Sequence, residues 1–91
     1  MSLHIDHDPD SRRFTTQVDG HEAELIYRQQ GARLIIDHTG VPEAIGGRGV
    51  AGELVKAALD YARAEGLRVV PACSYSAAYV QRHPEYADLV D

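Results

Sequence analysis

From Arg13 to Val18 the chain alternates, with Phe14, Thr16 and Val18 on one side, and the alternation stops at Asp19-Gly20, a dipeptide that favours a tight hairpin turn. A second alternating stretch, Glu22 to Gln29, puts Ala23, Leu25 and Tyr27 on one face. A third, Arg33 to Thr39, follows Gly31 and carries Leu34, Ile35 and Ile36. Strands joined by short turns predict an antiparallel meander. The period then lengthens. From Gly49 to Glu65, Val50, Leu54, Ala58 and Ala62 recur every four residues, and Val55 and Leu59 widen the stripe, as in an amphipathic helix lying on a sheet. Gly66 is placed to cap that helix. Leu67 to Cys73 reads as a short buried strand, with Pro71 near an end or edge. A second helix is expected from Ser74 or Ser76 to Arg82, halted ahead of Pro84.

Strand, helix, strand implies a crossover, so the last strand joins the meander in a mixed sheet. The expected class is α+β: a three-strand antiparallel meander, a fourth strand reached by the helix crossover, and two main helices. Residues 1–11 stand apart. The run His4, Ile5, Asp6, His7, Asp8, Pro9, Asp10 is mostly polar and contains a proline, which predicts a flexible leader ahead of one compact domain over residues 12–91.

At 91 residues the chain is one domain with a thin core, burying about 60–65% of the surface an unfolded chain would expose. A formal charge of −5 opposes general association with nucleic acid or an anionic membrane. The cations are lopsided, since Lys56 is the only lysine and the others are arginines suited to bidentate phosphate contact. Cys73 is the only cysteine, which excludes an internal disulfide; with no signal-like or membrane-length apolar run, the expected address is cytoplasmic.

The strongest helix begins after Gly46-Gly47-Arg48-Gly49 without a Ser, Thr, Asp or Asn in capping position. Its first N–H groups lack an evident side-chain acceptor, bare glycines permit close approach, and the helix dipole adds about half a positive charge there. An anion such as a diphosphate could serve as the cap; the plainer alternative is a tight strand-to-helix connection ending in water. No Gly-Lys-Ser/Thr is present, and no G-x-G-x-x-G follows the first strand.

This order of elements resembles the GNAT acetyltransferase superfamily, whose turn pattern R/Q-x-x-G-x-G/A holds the pyrophosphate of acetyl-CoA on backbone N–H groups. Arg48, Gly49, Val50 and Ala51 match its last four positions, and Gly46 stands where arginine or glutamine is usual. The closer resemblance is to the compact YjdJ-type branch of small acetyltransferase-like proteins. It spans Arg12 to Asp91 and rests on His38-Thr39-Gly40-Val41-Pro42, the Gly47 to Ala51 turn, Pro71-Ala72-Cys73 and His83-Pro84-Glu85-Tyr86. The chain lacks the helical segment that commonly follows the family's first strand and shapes the acceptor pocket. The resemblance implies acetyl-CoA as cofactor, an amine as acceptor, and a CoA site made of Val41, Gly46, Gly47, Arg48, Gly49, Val50, Ala51 and Gly52 with Cys73 and Tyr79.

Acetyl transfer to an amine requires a neutral nucleophile, a polarised thioester carbonyl and a proton donor for the departing thiolate. In the family a helix tyrosine is that donor, which points to Tyr79, with Tyr75 as substitute; the alternative for Tyr79 is an aromatic core anchor. Cys73 could carry an acetyl group if its pKa were lowered, or act only as a packed thiol. His38, expected to share a strand face with Leu34 and Ile36, and His83 are candidate bases, and Glu43 is a third. His4 and His7, interleaved with Asp6 and Asp8, could bind a metal weakly, but the preferred reading is a solvated leader, and no metal site is expected. Three functions remain open: a direct-transfer N-acetyltransferase, a non-catalytic acyl-CoA sensor, and an interaction domain whose glycines serve only the turn.

Overall fold

The computed structural model describes residues 3–91; Met1 and Ser2, the start of the expected leader, lie outside them. Five strands form one sheet in the order β1 (Asp6–Asp8), β2 (Arg13–Val18), β3 (His21–Gln30), β4 (Arg33–Gly40), β5 (Arg68–Pro71). The first four are antiparallel in succession, and β5 runs parallel to β4. Helix α1 (Val50–Glu65) makes the crossover, and α2 (Ser74–Arg82) follows β5. The mixed α+β sheet is the one the pattern predicts, with one strand more. No helix among the described residues is long and apolar enough to cross a membrane.

Local chemistry accounts for most boundaries. Asp19 and Gly20 both take positive φ, 51° and 78°, the mirror-image turn whose twist suits a two-residue hairpin. Gly66 caps α1 at φ 69°, where its N–H reaches the carbonyls of Ala62 and Arg63. Pro84 ends α2 as expected. The stripe of α1 buries Leu54, Val55, Ala58, Leu59 and Ala62 fully against Leu25, Leu34, Ile36 and Val69 of the sheet. Each large side chain so buried contributes about 1.5–3 kcal/mol.

Three expectations change. The stretch read as a flexible leader contains β1, which pairs Asp6 with Thr15 and Asp8 with Arg13, so the sheet begins before residue 12. Its anchor is His7, whose ring stacks on Phe14 with centroids 4.0 Å apart and whose Nε2 lies 2.6 Å from Tyr27 Oη. A polar-looking run is thereby held by strand pairing and by the aromatic contacts of one histidine. The crossover strand β5 is shorter than Leu67 to Cys73, because a tight turn from Ala72 N–H to the Val70 carbonyl closes it and Cys73 becomes the cap of α2. Beyond Pro84 the chain turns in a 3-10 segment, Pro84–Leu89, that buries Tyr86 and Leu89 beside α1.

The third change is at His38. Ile26 pairs with His38 but Tyr27 pairs with Ile36, so Asp37 is an extra residue on β4, a β-bulge. Beyond it the side-chain phase flips: Thr39 pairs with buried Leu25, and His38 is exposed on the opposite, helix-free face. His38 therefore does not share a face with Leu34 and Ile36.

Candidate functional site

The turn between β4 and α1 is built from backbone rather than side chains. A short 3-10 turn, Glu43–Ile45, drives Ile45 into the core and closes with the Gly46 N–H on the Glu43 carbonyl at 3.0 Å. A Cβ at Gly46 would stand 3.3 Å from that oxygen, which crowds any side chain there. Gly47 and Gly49 take φ 78° and 77°, a left-handed geometry that side chains resist, and space around both is open. Gly49 is the N-cap of α1 and makes no side-chain cap hydrogen bond.

The uncapped first turn opens on a cleft of about 220 Å3 lined by Val41, Ile45, Gly46, Gly47, Gly49, Val50, Ala51 and Tyr75. No carboxylate lines it. The volume is below the roughly 300–1,000 Å3 of pockets that enclose whole drug-sized ligands, so it suits a diphosphate with the remainder of its molecule outside. Backbone donors, glycines without a Cβ in the way and the absence of lining carboxylates fit the phosphate segment of acetyl-CoA.

Of the expected cofactor residues, Val41, Gly46, Gly47, Gly49, Val50 and Ala51 come together here. The Arg48 side chain does not: its guanidinium pairs with Asp19 on the β2–β3 turn, leaving only its backbone in the turn. Gly52 lies one step along the helix, where a Cβ would meet Tyr75 Oη at 3.3 Å and the Tyr79 ring at 3.5 Å. Gly52 thus seats two tyrosines rather than lining the cleft.

Tyr75 rather than Tyr79 enters the cleft lining. Tyr79 is half-buried between the helices, with its ring stacked on His83 at 3.8 Å between centroids. Burial, with Glu53 adding to it, holds the Tyr79 phenol above its ordinary pKa, so it stays protonated at neutral pH. His83 Nδ1 lies 2.8 Å from the Tyr79 carbonyl, which makes that nitrogen the donor and gives His83 a capping task at the end of α2.

Cys73 caps the start of α2. Its Sγ accepts from the Ser76 N–H at 3.4 Å, lies 3.0 Å from Ser76 Oγ and 3.6 Å from Thr39 Oγ1. Burial opposes ionisation of the thiol, but hydrogen bonds from Ser76, Thr39 and the Tyr75 backbone outweigh it and lower the pKa. Thr39, which no motif singled out as chemistry, comes to this point only because the Asp37 bulge turns it inward. Glu43 is exposed beside the turn, and His4 pairs with Asp6 at 2.9 Å. Among the described residues no three His, Cys, Asp or Glu side chains gather as a metal site would need.

Comparison with known proteins places this geometry. Residues 13–89 match the family model of the GCN5-related N-acetyl-transferases. The chain is 40% identical over 85 residues to Protein NATD1 of Homo sapiens and of Gallus gallus, covering 90% of this chain and 75% and 77% of those proteins. Protein NATD1 of Danio rerio is 34% identical over 93 residues, covering 97% of this chain and 84% of that protein. The solution structure of a GCN5-like candidate N-acetyltransferase from Staphylococcus aureus superposes with a TM-score of 0.77 at 30% identity, covering 98% of this chain and 88% of that one. A match over nearly the whole chain, in sequence and in fold together, has one reading: the protein belongs to the GCN5-related N-acetyltransferase family.

Proposed function

We propose that the protein is an acetyl-CoA-dependent N-acetyltransferase that moves an acetyl group directly to an amine, a small molecule or a peptide, in a reducing cytoplasm. One observation carries the reading: the first-turn N–H groups of α1 have no side-chain cap and open onto a glycine-lined cleft. Bound acetyl-CoA would supply an acetyl group activated as a thioester. The chain's part is to hold and orient it. Backbone N–H groups of Gly47, Arg48, Gly49, Val50, Ala51 and Gly52 receive the diphosphate, that of Gly46 being held by the Glu43 carbonyl, and Val41, Ile45 and Val50 wall the cleft with apolar surface that excludes water. Tyr79 keeps a proton for the departing thiolate. His38, on the open face of the sheet, takes a proton from the incoming ammonium.

Titration calorimetry with acetyl-CoA tests the cofactor, and no heat at millimolar ligand defeats the reading. Thiol release across an amine and peptide panel tests turnover. Replacing Tyr79 by Phe is expected to lower kcat by about 100-fold if the phenol is the acid. Cys73 is a further candidate, since its hydrogen bonds favour the thiolate that would accept the acetyl group from the thioester, release CoA and pass the group to the amine. Full turnover in Cys73→Ser would exclude that relay.

A second reading, a module that binds and senses acyl-CoA without turnover, is favoured by Tyr79. Its stacking on His83, outside the cleft lining, suits an interhelix anchor. Saturable acetyl-CoA binding with no thiol release on any acceptor would select it.

A further inference from the structure

We infer that the Tyr75 hydroxyl is the side-chain hydrogen-bond donor to the diphosphate of the bound ligand, in a cleft that is otherwise all backbone and hydrocarbon. The inference rests on the acetyl-CoA reading above and assigns within it a contact to a residue that lies outside the glycine turn.

The cleft lining contains glycines, alanine, three aliphatic side chains and Tyr75, so the phenol is its one polar side chain. Two other positions that could have reached a phosphate do not. Gly46 has no side chain, and the Arg48 guanidinium is engaged with Asp19 on the far hairpin. Tyr75 Oη stands 3.3 Å from the point where a Gly52 Cβ would be, beside the first turn of α1, where Val50, Ala51 and Gly52 present their N–H groups. The phenol of α2 thus stands beside the first-turn amides of α1. Tyr75 is 43% exposed, the one large hydrophobic side chain that stands out in this way among the described residues. A rigid aromatic with two side-chain torsions loses little conformational freedom when a ligand covers it.

The geometry also separates the two tyrosines of α2. Tyr75 and Tyr79 are one turn apart and both lean on Gly52, but only Tyr75 faces the cleft. A hydroxyl engaged at the helix start is not available to a thiolate at the other end of a pantetheine arm, so Tyr75 is a binding residue and not the proton donor.

The test compares two ligands on two variants by NMR titration, which reads weak affinities: acetyl-CoA, and S-acetylpantetheine, which has no phosphate. Tyr75→Phe keeps the ring and removes the oxygen. Acetyl-CoA binding is expected to weaken about tenfold or more, with S-acetylpantetheine affinity unmoved, as for loss of one hydrogen bond to a charged group. Adding Gly46→Gln to Tyr75→Phe restores a donor from the opposite wall. Backbone at φ −65°, ψ 154° accepts any residue, with a shift of a few tenths of an ångström away from the Glu43 carbonyl, so affinity for acetyl-CoA is expected to return. Equal losses for both ligands, or an unchanged acetyl-CoA affinity in Tyr75→Phe, would overturn the assignment and leave the cofactor reading standing. Failure of the wild-type protein to bind acetyl-CoA would overturn both.

Discussion

The His7 imidazole and the Tyr27 phenol meet at 2.6 Å across the face of Phe14, which ties β1 to β3 over the strand between them. Tyr61 of α1 closes the cluster with an edge-on contact to His7 at 4.4 Å. Burial lowers the His7 pKa, and Asp8 only partly offsets it. The folded protein thus prefers the neutral ring more than the unfolded chain does. That stability is fully present above the ordinary imidazole pKa and is lost as pH falls through it to the lower folded value. Thermal melts from about pH 7.5 to 5 should show the wild type losing stability relative to His7→Phe, a range set by imidazole titration. Parallel curves would contradict this.

The diphosphate placement predicts opposite effects of one substitution on folding and on binding. Ala51→Glu puts a carboxylate in the first turn of α1, where the dipole favours it by about 0.3–1 kcal/mol. The same carboxylate lies at the cleft and repels a phosphate. The melting temperature should hold or rise while acetyl-CoA affinity falls by about tenfold or more. Calorimetry and thermal denaturation read the two effects separately. Gly49 cannot serve for this test, because its φ of 77° makes any side chain there costly to the fold itself.

Gly52 should trade stability against position in the same manner. Alanine in the first turn of α1 relieves the helix penalty of glycine, about 0.5–1 kcal/mol. The new Cβ would press on Tyr75 Oη, the exposed far end of its side chain, and only touch the Tyr79 ring. Gly52→Ala is expected to raise the melting temperature and weaken acetyl-CoA several-fold, as measured on one preparation.

Tyr86 is buried, and its hydroxyl donates to Asp60 Oδ1 at 2.8 Å, while Lys56 Nζ reaches the other carboxylate oxygen at 3.1 Å. Phenylalanine there keeps the ring against the core and removes one hydrogen bond to a charged acceptor that water can still reach. The expected loss is about 1 kcal/mol in urea unfolding. Acetyl-CoA affinity should not move, since Tyr86 is not among the cleft residues.

Much of the fold was legible because it is decided within a few residues. The Asp19-Gly20 turn follows from two residues that tolerate positive φ, α1 from a four-residue recurrence that Gly66 ends, and the end of α2 from Pro84. The uncapped glycine turn was legible for the same reason, as glycine spacing and a missing cap are local facts. The sites that side chains decide were not. Alternation assigns His38 to the inner face, and one extra residue at Asp37 reverses it, because a sheet has a side-chain period of two. A polar leader became a strand because the flat face of His7 finds Phe14 and its nitrogen finds Tyr27, a partner 20 residues away.

From the amino-acid order alone come the element types from Arg13 to Arg82, the mixed sheet, the family and the uncapped helix start, since backbone sterics and burial periodicity act over short stretches of chain. Tertiary packing alone decides which side chains reach the cleft: it sends Arg48 to Asp19, brings Thr39 to Cys73 across 34 positions, and turns Tyr75 rather than Tyr79 toward the glycines. The reason is physical. Such choices depend on contacts between distant segments whose geometry exists only after the sheet and both helices have docked.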